Sequence, residues 1–424
     1  MTRVRVTWYL SRRYLWACII GLHAVMFVSL IPTMIAGEVQ GDLGVYREWV
    51  TVGFSFGVWP GIDTPWVYPQ AALIPMVLAG LARQKFYMLL WLSMIVSLNI
   101  ASFAVVLGRR PSSRRLFAAW WWLAIIFVLS PVELLRLEGV TAPLVVIALV
   151  ILSRLPFVSG IVLTLVTWIK VWPVAILFAV VASSRKWLTV VLAAVTTTSI
   201  VVATLLLMGG GPNLFSFITA QSSRSLQIEA PIATPWMWMS IASPSNYHRY
   251  NDSNLLTWEV SGPGSGLVSK LMTPLMALAI TAIIVLLFRA RRRGAAPQDA
   301  LLTGSLALVS AMIVFNKVGS PQYMLWLAPI VVVGLLVDRG VWRVPANLMM
   351  AISIATTLIF PIFYMPLVHG SRSALMLLSA RNVLLVVLLG WAVMRLVSLG
   401  KKSHASDENL TSASPLRATA KISS

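Results

Sequence analysis

A few short polar stretches, each set between apolar runs, hold the residues that could do chemistry in this chain. The first is Gly41-Asp42-Leu43-Gly44-Val45-Tyr46. A carboxylate fixed by a glycine-flanked turn at the start of a helix can take the proton of an acceptor hydroxyl, the work of a general base. Asp is also a preferred helix N-cap, and the two roles can coexist. Asp63 reads as a turn former in Gly61-Ile62-Asp63-Thr64-Pro65, and Tyr68 follows in Trp66-Val67-Tyr68-Pro69. Lys170, ahead of Trp172 and Pro173, interrupts the apolar stretch from Leu155 to Val181. A cation there either snorkels to the head groups or meets an anion such as a phosphate.

Arg224-Ser225-Leu226-Gln227-Ile228-Glu229 precedes Trp236 and Trp238. Its planar guanidinium suits phosphate and its amide suits hydroxyls, while tryptophan faces either stack on sugar rings or form an interfacial belt. The densest stretch is Phe315-Asn316-Lys317-Val318-Gly319-Ser320-Pro321-Gln322-Tyr323-Met324-Leu325-Trp326. A tight turn explains Gly319 and Pro321, but not Asn316, Lys317, Gln322 and Tyr323 together at a membrane edge. His23, His248, His369 and His404 show no paired ligand spacing, and no metal site or cofactor is expected.

The elements that must position these residues are membrane helices. Of 424 residues, 58% are apolar and 11% charged, far from the composition of soluble domains. Runs such as Leu15 to Ile35, Phe86 to Leu107, Leu188 to Met208 and Leu271 to Phe288 approach the roughly 20 residues that cross a bilayer. The arginines ahead of the first run, without a cleavage site of the usual form, read as a retained first span. About twelve passes are expected, starting near residues 15, 86, 116, 140, 156, 172, 187, 268, 299, 321, 344 and 377, with ten to twelve the defensible range. The passes near 140 to 153, 156 to 171 and 172 to 182 are short and could be broken.

With both termini inside, 22 of the 33 Lys and Arg fall in cytoplasmic segments, and the net charge divides as +18 inside and +2 outside, as the positive-inside rule requires. The net charge of +20 is scattered between apolar runs, so nucleic-acid binding is not expected. Cys18, the single cysteine, excludes a disulfide framework and reads as packing. Two outer loops are long, 36–85 and 209–266. The first carries an amphipathic surface helix around Leu43 to Phe54 and a short re-entrant or interfacial helix over Ala71 to Leu81. Residues 1–400 form one membrane domain, and 401–424 read as a disordered cytoplasmic tail.

The stretch from Phe315 to Trp326 resembles the signature near the carboxyl end of polyprenol-phosphate-mannose-dependent mannosyltransferases. The segments around Asp42, Tyr68, Lys170 and Arg224 to Glu229 occur in the order expected of glycosyltransferase family 87. The resemblance implies an all-α polytopic bundle of the GT-C type with an active site built from outer loops. It implies an inverting transferase that moves a sugar, mannose by the likeness, from a polyprenyl-phosphate carrier to a glycolipid or cell-envelope glycan. Asp42 matches the catalytic aspartate. Lys170, Arg224, Lys317, Gln322, Tyr323, Asn316, Glu229 and Tyr68 are the carry-over candidates for donor phosphate and sugar. Some relatives carry a histidine where this chain has Gln322-Tyr323.

The expected setting is the plasma membrane, with membrane lipid around the spans and the site facing outside. Nucleotide sugars are made inside, so an outward site points to a lipid-linked donor. A transporter or flippase of a lipid-linked sugar is the main rival, and it would carry ionisable groups near mid-membrane, whereas the spans read as nearly free of charge. A non-catalytic scaffold on the same fold is the third reading.

Overall fold

The computed structural model describes residues 12–220, 224–252 and 257–399. The expectations for the extreme amino terminus and for the tail from 401 fall outside the described residues.

Helices dominate, because a backbone in hydrocarbon must satisfy its own hydrogen bonds. In order they are α1 (Arg12–Ser29), α2 (Ile31–Ile35), α3 (Leu43–Phe56), α4 (Leu73–Gly80), α5 (Tyr87–Leu107) and α6 (Ser113–Glu133). Next come α7 (Glu138–Ile151), α8 (Pro156–Ile169), α9 (Val174–Ser183), α10 (Trp187–Leu207), α11 (Ser216–Thr219) and α12 (Thr234–Ala242). The last are α13 (Ser265–Arg292), α14 (Pro297–Val314), α15 (Met324–Val337), α16 (Arg339–Thr357), α17 (Tyr364–Val368) and α18 (Arg372–Leu399).

Each expected pass begins within a few residues of a helix: α1, α5 to α10, α13 to α16 or α18. Seven of these, α5, α6, α10, α13, α14, α16 and α18, are long and apolar enough to cross a membrane. The chain is therefore an all-α polytopic membrane protein. The helices α7, α8, α9 and α15 are shorter.

Local chemistry sets the helix ends. Pro156 and Pro297 open α8 and α14, where a missing N–H costs nothing. The Asp338 carboxylate accepts from the Gly340 and Val341 N–H groups at 2.8 and 3.2 Å and starts α16. The centre of the bundle is α15, buried along nearly its whole length and packed on α16, α6, α7 and α14. Small residues let helices approach: a Cβ on Gly160 of α8 would lie 2.8 Å from the Cβ of Ala193 in α10.

The spans are less free of charge than expected. His23 of α1, Asn99 of α5 and Glu133 of α6 are all buried and meet. Asn99 donates to Glu133 Oε1 at 2.6 Å and contacts His23 Nε2 at 3.1 Å. Arg381, inside α18, is also buried. Each of these buried polar groups has a polar partner, which is how the bundle tolerates it.

The two long connections meet at one end of the bundle. The amphipathic helix expected after Asp42 is α3, which turns Leu43, Tyr46, Val50 and Gly53 inward. The short apolar helix expected near 71 to 81 is a 3₁₀ turn at Gln70–Ala72 running into α4. Asp63 is the turn former it reads as, its carboxylate accepting from the Trp59 N–H at 2.7 Å. The Gln70 amide donates to the Asn213 carbonyl at 2.8 Å, joining the two connections.

The second connection also folds a small antiparallel sheet that the sequence reading did not anticipate: β1 (Leu226–Gln227), β2 (His248–Asp252) and β3 (Thr257–Ser261), with β3 central. With α12, α17 and the start of α18 it encloses a second apolar core around Leu226, Met237, Val260 and Leu375.

Candidate active site

The site is built where five connections converge: the two long ones and those between α6 and α7, α8 and α9, and α14 and α15. Gly41, at φ +58°, turns the chain into α3 and leaves Asp42 at the N-cap position. Its carboxylate makes no capping hydrogen bond. Instead Oδ1 lies 3.5 Å from Arg136 Nη2, and Oδ2 accepts from the Tyr46 hydroxyl at 3.4 Å. The side chain keeps 29% of its surface exposed, against 13% for Arg136, so the carboxylate is the part of this pair that a substrate can reach.

Arg136 belongs to the connector between α6 and α7, a turn made possible by Gly139. A Cβ there would fall 2.2 Å from the Glu133 carbonyl oxygen. The other terminal nitrogen of Arg136 donates to the Gln322 side-chain oxygen. One guanidinium thus ties the α3 turn to the segment that leads into α15.

Lys170 ends α8, where the backbone turns extended ahead of Trp172 and Pro173. Its Nζ lies 2.5 Å from Glu138 Oε1 and 5.2 Å from the centre of the Tyr68 ring. Glu138 is fully buried and also accepts from the Trp326 indole at 3.2 Å. Lys170 is thus paired with a buried protein carboxylate. Tyr323 stacks on Trp326 at 4.0 Å, and Trp326 lies parallel to Trp172 at 6.0 Å, so an aromatic wall stands beneath the ion pairs.

Lys317 and Arg224 form a second cationic group. The Gln227 N–H donates to the Lys317 carbonyl at 3.0 Å, and the Gln227 side-chain oxygen accepts from the Gly319 N–H at 2.9 Å. Burial and then the neighbouring Arg224 charge push the Lys317 ammonium below its usual range, while Glu259 opposes the shift. Two like charges near enough to act on each other favour an anion close to both.

Glu229 is buried, accepts from the Gln227 amide at 2.7 Å, and gives its carbonyl to Arg381 at 2.9 Å. Burial raises its carboxyl to about 7, against the pull of Arg381 and Arg136. Asn316 is used by its own loop: its side-chain oxygen accepts from the Val318 N–H at 2.9 Å.

The structure thus gathers Asp42, Tyr68, Lys170, Gln322 and Tyr323 around Arg136 and Glu138, with Arg224 and Lys317 alongside. Neither Arg136 nor Glu138 was singled out from sequence. Their signal was present as Glu133-Leu134-Leu135-Arg136-Leu137-Glu138, a run dense in charge between two apolar stretches. Beyond Tyr46, whose ring lies 6.0 Å from that of Trp49, a cleft of about 350 Å³ opens between Trp49, Trp66, Val67 and Pro65. Among the described residues no group of three His, Cys, Asp or Glu side chains is placed to hold a metal ion.

The membrane bundle thus carries a carboxylate, a cationic group and an aromatic cleft at one end. The sequence over residues 66–309 matches the model of glycosyltransferase family 87, so the chain belongs to that family and is a membrane glycosyltransferase. No curated protein and no solved structure matches it. The matched region includes Tyr68, Arg136, Glu138, Lys170, Arg224 and Glu229, and the fold brings Asp42, Lys317 and Gln322 to them from outside it.

Proposed function

We propose that the chain transfers mannose from a polyprenyl-phosphate carrier to a glycolipid or cell-envelope glycan on the non-cytoplasmic face, with inversion at the anomeric carbon. The observation that carries the reading is the Asp42 carboxylate, held at 3.5 Å by Arg136 and left free of helix capping. In this scheme an acceptor hydroxyl lies against Asp42, which takes its proton as the oxygen attacks the anomeric carbon. The bond from that carbon to the phosphate oxygen breaks, and the electron pair leaves with the phosphate. Arg224 and Lys317 receive that growing negative charge. Arg136 and Tyr46 orient the base, and the cleft beside Trp49 and Trp66 accommodates apolar or sugar surface.

An outward orientation is favoured by the distribution of Lys and Arg between the two sides. The deciding experiment offers labelled polyprenyl-phosphate mannose and a native lipid extract to the purified protein and to Asp42→Asn. Label is expected in a new glycolipid with the unmutated protein alone. Near-normal turnover by Asp42→Asn would remove that residue from the base role, and no transfer by either would remove mannose from the reading.

A further inference from the structure

A second cleft, of about 350 Å³, lies between the sheet, α12 and the turn from α17 to α18. Its walls include Tyr247, His248, Arg249, Trp258 and His369, and no acidic side chain is among the residues that line it. Two of those walls rest on glycines. The Arg249 guanidinium lies on the bare backbone of Gly370, where a Cβ would fall 2.2 Å from Nη1. The Tyr247 ring lies on Gly262, where a Cβ would fall 2.3 Å from it. Side chains seated this closely are held in place before any ligand arrives.

The cleft is walled mainly from the face of the sheet opposite the one on which Glu259 meets Lys317. Alternation along the strands puts Tyr250 and Glu259 on one face, joined at 3.0 Å, and Glu259 acts on Lys317 from there. Arg249, its cross-strand partner Val260 and Trp258 belong to the opposite face, and His248, the first residue of β2, reaches the cleft from the end of the strand. Arg249 Nη1 is shielded from solvent and has no hydrogen-bond partner among the described residues. A guanidinium, two imidazoles and an indole face around one cleft suit a ring that bears a negative charge.

We propose that this cleft binds a negatively charged sugar unit of the acceptor, away from the point of transfer. The inference rests on the transferase reading above for the word acceptor, but the binding itself does not depend on turnover.

The test titrates the full chain in zwitterionic lipid nanodiscs with glucuronate, mannose 6-phosphate, mannose and glycerol 3-phosphate. The anionic sugars are expected to bind at least tenfold more tightly than mannose or glycerol 3-phosphate. Arg249→Gln and Trp258→Ala should each weaken them at least tenfold, while Asp42→Asn binds them as the unmutated protein does. Should Arg249→Gln fail to fold, the exposed pair His248→Ala with His369→Ala serves in its place, with the same loss expected.

Binding lost in Asp42→Asn but kept in the cleft variants would place the sugar at the catalytic group and overturn the proposal. Equal binding of glycerol 3-phosphate would make the cleft a lipid head-group site and overturn it too, as would the absence of cleft-dependent binding. Because Asp42→Asn is read here by binding alone, failure of the transfer reaction and failure of this proposal give different results.

Discussion

Arg136 stands 3.5 Å from the Asp42 carboxylate while donating its other terminal nitrogen to Gln322. A side chain from the α6–α7 connector therefore sets the distance between the α3 turn and the start of α15. A lysine in its place could reach one partner but not fork to both. Arg136→Lys is expected to lower kcat by about 100-fold with a small change in KM, since misplacement on the order of 1 Å has that effect. Steady-state kinetics decides it, and equal loss in KM alone would assign Arg136 to binding.

The buried pair of Lys170 and Glu138 makes a stability prediction. Removing one partner leaves the other charge uncompensated in a low-dielectric interior, at a cost of roughly 3 to 5 kcal/mol. Glu138→Gln should lower the unfolding temperature in detergent, and adding Lys170→Met should restore much of it. A double variant no more stable than the single would show that the pair does not act as a unit.

Gly319 is where two backbones touch. A Cβ there would fall 2.3 Å from the Ala230 nitrogen, which cannot swing aside as a side-chain tip could. Gly319→Ala should destabilise by about 1 to 3 kcal/mol and should weaken donor binding as well, because Lys317 rides on the same loop. Thermal unfolding and donor titration read the two effects separately.

Glu229 gives a pH dependence with a definite sign. Its carboxyl sits at about 7 in the fold, above its ordinary 4.5. The folded state therefore binds the extra proton between these values. Stability from this group is full below pH 4.5 and is lost as pH rises toward 7, by about 3 kcal/mol in all. Glu229→Gln, which cannot ionise, should remove that slope from the unfolding temperature measured across pH 4.5 to 7. An unchanged slope would assign it to another group.

The membrane helices were legible because an apolar run of about 20 residues fits a bilayer span and little else. Asp42, Tyr68, Lys170, Arg224, Lys317, Gln322 and Tyr323 stood out for a related reason: polar groups are conspicuous at the ends of such runs. The same contrast picks out Asn316, whose side-chain oxygen also serves its own turn, but it does not show that Lys170 is paired with a protein carboxylate. Arg136 and Glu138 do not stand out, because charges in a short connection look like solvated ones. Only the fold reveals that this connection turns inward. The sheet was hidden because its strands are short and separated by loop, so alternation has little length over which to show.

Asp42 occupies a capping position without capping. Helix α3 thus starts with backbone N–H groups that its most suitable side chain has declined to satisfy. A side chain that does cap is typically worth ~1 kcal/mol to a helix, and here that contribution is absent from the outset. On the proposed role of Asp42, the chain here trades local rigidity for reactivity, and removal of its carboxylate is expected to silence the enzyme while leaving the scaffold standing.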